Sequence, residues 1–353
     1  MKRLIFLCFF LLLLAGEARA EELPEELLES VPEAGQAIQA GSSFEEGLSG
    51  LLGMAQEALS GVLRQGTAGV VELLLLLFLC GIGETVFASA SGKTGFNYMA
   101  LASVAAVVAV SAGDLNQLIG MGTETITELS QFSKALLPAL AAATASSGLV
   151  GTASVKQVAT VFFSDILITL IERVLLPFLY LYIGALAAGA MLGDKRLDAI
   201  AAAIRKGVVW ALSALLTGFT LYLSVAGVIS GAADAVAVKV TKSAIASAIP
   251  VVGSIVSGTA ETVLAGAGIL KNSIGVFGLL VILATCLTPF LHLAVQYLLY
   301  KLAAFAASTV SSPPLVKLID GLAGAFGLVL GMVGSCALVL LISILSSLLA
   351  VRI

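Results

Sequence analysis

The chain is short of charge. Lys, Arg, Asp and Glu make up 11% of its 353 residues, against about 25% in a typical soluble domain. Hydrophobic residues make up 59%, and the mean hydropathy is +1.09. An ordinary globule could not cover that much apolar surface. Metal and redox chemistry have little material to work with: one histidine and four cysteines, with no C-x-x-C pair. No catalytic, cofactor-binding or metal-ligating set emerges, and a net charge of -4 is too small to point to nucleic acid. These shortages leave one fold class, an all-α, polytopic helical membrane protein with about six spans plus re-entrant or amphipathic segments.

The first twenty residues have the form of a signal peptide. Lys2 and Arg3 precede an apolar run from Leu4 to Ala15, and Ala18-Arg19-Ala20 matches a small-residue cleavage site. Cleavage there would start the mature chain at Glu21, outside the cytoplasm. Residues 21–33 are acidic, carry Pro24 and Pro32, and read as a mobile lead-in. Phe44, Leu48, Leu51, Leu52, Ala55, Leu59, Val62 and Leu63 then recur at helical spacing, which predicts an amphipathic helix. With only Arg64 as a basic residue, that helix suits packing against protein better than docking to anionic lipid. The organisation is therefore a leader over 1–20, a non-cytoplasmic lead-in and helix over 21–68, and a membrane domain over 69–353.

Spans are predicted over about 69–90, 98–113, 174–192, 207–231, 274–297 and 321–350, each near or above the length a bilayer requires. Pro177 relieves or kinks the third. With Glu21 outside, the connectors 91–97, 193–206 and 300–320 fall inside and carry seven Lys/Arg in a short total length. The outside segments carry eight over several times that length, so basic density supports this orientation. The Gly92-Lys93-Thr94 tripeptide does not make a phosphate loop. Its required earlier glycine is Phe87, and it joins two membrane helices.

Residues 239–275, KVTKSAIASAIPVVGSIVSGTAETVLAGAGILKNSIG, have an unusual composition for a plain span. They are apolar yet broken by Pro250 and crowded with Gly, Ser and Thr. Lys239, Lys242, Pro250, Gly253, Glu261 and Lys271 are the candidates for a channel lining or an external lid, and the composition permits both. A weaker counterpart runs over 134–154, where Pro138 matches Pro250. Repeats with irregular segments in matching places are a feature of transporter folds. In the last span Gly321, Gly324, Gly327, Gly331 and Gly334 recur every three or four residues, a helix-packing pattern in lipid. The partner helix belongs to this chain, a second copy or another protein. His292 either pairs with Glu261 or Asp165 in a proton relay or meets a backbone group beside Pro289. Cys80, Cys286 and Cys336 lie within apolar spans as small buried residues.

The chain resembles the stage III sporulation protein AE family of endospore-forming bacteria. The likeness is carried by the leader, GDKRLDAIAAAIRKGVVWALSALLTGFTLYLS, GAADAVAVKVTKSAIASAIPVVGSIVSGTAETV and KNSIGVFG. The Ile249-Pro250-Val251-Val252-Gly253 core with downstream Glu261-Thr262-Val263 is the most specific piece, and the segment up to about residue 65 matches only in character. The resemblance implies a non-enzymatic core component of the channel complex, secretion-like in kind, that joins mother cell and forespore. Its place would be the mother-cell membrane surrounding the forespore, in contact with membrane lipid. Implied partners are other stage III operon proteins including an ATPase, stage II sporulation protein Q across the intermembrane space, and further copies of the chain. The resemblance carries over no catalytic residue and no cofactor. The rival expectation is an autonomous secondary transporter with a broken-helix substrate site.

Overall fold

The computed structural model describes residues 24–38, 44–90, 98–146, 150–248 and 253–349, with the side chains of 88–90, 98, 100, 150–157, 226–248, 253–271 and 346–349 left undescribed. Every element among these residues is a helix. A short α1 (Glu25–Glu29) and a 3-10 turn (Glu33–Gly35) precede α2 (Phe44–Ala90) and α3 (Tyr98–Ser146). Next come α4 (Val150–Leu170), a π turn (Ile171–Leu175), α5 (Leu176–Leu192), α6 (Lys195–Ala248), α7 (Gly253–Ala307) and α8 (Pro313–Leu349). Among the described residues, six helical stretches are long and apolar enough to cross a membrane, α4, the π turn and α5 making one of them from Val158 to Leu192, in agreement with the number read from the sequence.

These helices run further than the spans they contain. At 1.5 Å per residue, the 47 residues of α2 reach roughly 70 Å, more than twice a hydrocarbon core of about 30 Å. The amphipathic segment after Phe44 and the first span are thus one continuous helix. The stretch 114–146, too polar to be counted as part of a span, likewise continues the second one as α3, with Pro138 inside it. Between α4 and α5 the helix widens into the π turn just before Pro177. A proline has no N–H to give the carbonyl four residues back, and the wider turn accommodates that loss without ending the helix.

Packing in lipid draws little on the hydrophobic effect, so helices cohere through close contact and polar ties. α7 and α8 form the central pair. In their most apolar stretches 67% and 61% of residues are buried, against 22–33% in the other four spans, so this pair is the core and the others surround it. α2 and α3 pack on α7, α5 and α6 on α8, and α4 on α3 and α6. Leu322, Phe326, Val329 and Val333 of α8 and Leu280, Ile282 and Leu293 of α7 fill the centre.

The lead-in differs from its expected mobility. Leu27, Val31 and Ile38 are buried, and Gly35 sits so close to α7 that a Cβ would come within 2.8 Å of Val281 Cγ1. Prolines and acids mark the segment as non-membranous, but these apolar side chains dock it on the bundle.

One end of the bundle gathers the turns expected in the cytoplasm. Ser311 Oγ donates to the Leu77 carbonyl and Ser312 Oγ to Glu84 Oε1, both at 3.3 Å, which joins α2 to the α7–α8 connector. Lys317 of α8 meets Asp198 of α6 at 3.2 Å. The α5–α6 turn is tight: Gly193 takes φ 64° and closes α5 through its N–H to the Gly189 carbonyl, and Asp194 Oδ1 accepts from the Arg196 N–H to open α6. A left-handed cap followed at once by an N-cap side chain reverses the chain in two residues. Connectors two and four spans removed from each other thus lie together, as a six-span path requires. With the chain in the plasma membrane of a heterologous host, single cysteines at Asp194 and Ser308 should react with a membrane-impermeant thiol reagent only after permeabilisation, while one at Glu45 should react in intact cells. Labelling of 194 and 308 from opposite sides would contradict this path.

Candidate functional site

A cleft of about 1140 Å³ opens at that same end, between α5 and α6 on one side and α7 and α8 on the other. Four cations line it: Arg205 and Lys206 from α6, Lys301 from α7 and Lys317 from α8. Two carboxylates face them. Asp320 pairs with Lys301, and Asp198 with Lys317 at 3.2 Å. Arg205 and Lys206 form no ion pair among the described residues. Lys301 also sits 5.8 Å from the centre of the Tyr297 ring, a cation–π contact that steadies it. The remaining wall is apolar, with Val209, Trp210 and Phe305 all exposed. What the cleft offers chemically is positive charge beside an apolar surface.

The back of the cleft depends on two glycines. Tyr182 Oη donates to the Gly321 carbonyl at 2.8 Å, tying α5 to α8. A Cβ on Gly324 would stand 2.7 Å from that same hydroxyl and 3.7 Å from the Arg205 guanidinium carbon. Bare backbone on α8 therefore makes room for the tyrosine and, behind it, the arginine.

A second polar cluster lies deeper, between α3 and α7. Asp114 Oδ2 accepts from Gln296 Nε2 at 2.7 Å and from Tyr300 Oη at 3.1 Å. Tyr300 is 1% exposed, so its hydroxyl depends on this acceptor, and its ring packs edge-on to Phe326 of α8 with centroids 5.0 Å apart. Three helices are thereby held at one level. Thr160 of α4 and Ser343 of α8 add a further buried hydroxyl pair.

The residues singled out in the sequence fare differently. Pro250 lies outside the described residues, and the side chains of Lys239, Lys242, Gly253, Glu261 and Lys271 are likewise outside them. The backbone of α6 runs to Ala248 and that of α7 starts at Gly253. The α8 glycines meet helices of this chain, but along two directions. A Cβ on Gly321 would come within 2.5 Å of Leu186, and Gly331 faces Leu212 at 3.8 Å. Gly327 and Gly334 face Tyr297 and Phe290 of α7 at 3.4 and 3.2 Å. His292 is half-buried and makes no hydrogen bond or ion pair with the described residues, and Asp165 is exposed on α4. Cys80, Cys286 and Cys336 are buried and unpaired.

Sequence reasoning missed Asp114, Gln296 and Tyr300, whose partners stand 182 and 186 residues apart in the chain. It counted Arg205, Lys206, Lys301 and Lys317 for orientation without seeing that they converge.

Comparison with known proteins adds three findings. A family model described as "Stage III sporulation protein AE" matches residues 37–350. The curated "Stage III sporulation protein AE" of Bacillus subtilis (strain 168) is 25% identical over 249 residues, covering 70% of this chain and 62% of that protein. The chain thus spans less than two-thirds of the length of the relative it matches. No solved structure matches it.

Proposed function

We propose a function from one premise: the chain belongs to the stage III sporulation protein AE family. It is a multi-pass membrane protein of sporulation, in a family not known for enzymatic activity. Its finer role is that of a membrane scaffold within the channel complex, secretion-like in kind, that joins mother cell and forespore. It sits in the mother-cell membrane surrounding the forespore. There it holds the other stage III operon proteins, with their ATPase at the cytoplasmic end and stage II sporulation protein Q reaching from the far side.

One observation carries the scaffold reading over the conduit reading. The middle of the bundle is occupied by side chains, since α7 and α8 bury most of their apolar stretches against the rest of the chain. The other four spans keep most of theirs outward. Val71, Leu75, Phe78, Leu79 and Ile82 on α2 are all exposed, as are Val158, Val161 and Phe162 on α4. Exposed apolar faces of this extent meet lipid or neighbouring subunits. The passage then runs between subunits, with this chain as part of its frame.

Purified protein in liposomes tests this against an autonomous transporter. Alone, it should pass no more ions or small solutes than empty vesicles. Flux from the chain alone, abolished by Glu261→Gln, would overturn the scaffold reading.

A further inference from the structure

We infer that the cleft between α6 and α7 is a binding site for an anionic phospholipid of the cytoplasm-facing leaflet, with its phosphate on Arg205 and Lys206 and its acyl chains against Val209, Trp210 and Phe305. Charge gives the first reason. Four cations face two carboxylates, and both carboxylates are already engaged by Lys301 and Lys317. Arg205 and Lys206, which form no ion pair among the described residues, are consecutive on α6 and both line the cleft, so a phosphate held there can draw on both charges. Guanidinium and ammonium groups both bind phosphate oxygens, the first through two parallel N–H donors.

The apolar wall gives the second reason, and it separates a lipid from a free anion. Trp210 is 73% exposed and Phe305 77%, which is a poor arrangement unless something apolar covers them. The surface continues from the cleft along both helices. Leu298 and Leu302 extend it on α7, and Leu221 and Val225 on α6, all exposed and all within spans. Inorganic phosphate would use the cations and leave that wall wet. A phospholipid uses both.

Position is the third reason. The cleft lies beside the Gly193-Asp194 turn and the 308–312 connector, where the spans end and head groups begin. Large aromatic side chains favour that level, and basic pockets between spanning helices on the cytoplasmic side bind anionic head groups.

Trp210 is the only tryptophan in the chain, so its fluorescence reports the site directly. The full chain would be reconstituted in phosphatidylcholine vesicles containing a minor fraction of brominated lipid, whose bromines quench a tryptophan in contact with the acyl chain. Brominated phosphatidylglycerol should quench Trp210 at a mole fraction about tenfold lower than brominated phosphatidylcholine. Arg205→Gln with Lys206→Gln should abolish that preference. Lys195→Gln with Arg196→Gln, on the same helix but outside the cleft, should keep it and so control for general surface charge. Inorganic phosphate should leave the quenching unchanged. Equal quenching by both lipids in the unaltered chain would mean ordinary surrounding lipid and would overturn the proposal. Relief of quenching by phosphate would overturn it in favour of a free anion. So would loss of quenching by either lipid in the protein purified with its assembly, which would mean that another subunit fills the cleft.

Discussion

Gly81→Ala should destabilise the protein by about 2 kcal/mol, within the range for forcing a methyl group into packed structure. A Cβ at this position would lie 2.6 Å from the Val310 carbonyl oxygen and 3.0 Å from Val310 Cγ1. The first of these is backbone, so no rotamer change relieves the clash. Either α2 or the 308–312 connector has to move, and Ser311 and Ser312 would lose their bonds to Leu77 and Glu84. Gly61 lies on the same helix with nothing within 4 Å of its Cβ position. There alanine should cost nothing and gain up to about 1 kcal/mol of helix propensity. Thermal unfolding of the two variants in one detergent checks the contrast. Equal midpoints would mean that α2 does not approach the connector this closely.

Asp114→Ala should cost about 2–4 kcal/mol, because it leaves two donors without their acceptor. Tyr300 is fully buried and Gln296 nearly so, and neither hydroxyl nor amide reaches water in compensation. Hydrogen bonds within lipid-embedded bundles average nearer 0.6 kcal/mol by double-mutant cycle, since the unfolded helix also finds partners. The larger figure here reflects orphaned donors, which the removal of both partners would avoid. Tyr300→Phe alone should therefore cost less, about 1 kcal/mol. The Asp114→Ala, Tyr300→Phe pair should cost less than the two single effects added together. Strict additivity in that cycle would show that the carboxylate and the phenol do not interact.

How far the sequence discloses the protein depends on whether a feature is local. Span count and class follow from hydropathy, and the expected side of each connector rests on where the lysines and arginines cluster. Helix extent was underread because Asp114, Glu124 and Glu128 depress hydropathy while leaving helix formation intact; α3 carries all three. The α8 glycines show a simple geometrical limit. At 3.6 residues per turn, Gly321 and Gly334 point roughly 140° apart, so a stripe in the sequence serves two seams, one with α5 and α6 and one with α7. Gly81 has no such pattern to announce it. What makes it necessary is the Val310 carbonyl, 229 residues away in the chain, and only tertiary structure supplies that. The cleft is hidden for the same reason, since its cations come from three helices.

If the chain frames the assembly, the other membrane subunits need it in order to stay together. The direct measurement is co-purification of the remaining operon-encoded membrane proteins from sporulating cells that contain or lack this chain, tagging a subunit other than this one. The subunits should purify as one complex when it is present and as separate proteins when it is absent. Recovery of the intact complex from cells without it would contradict the scaffold role.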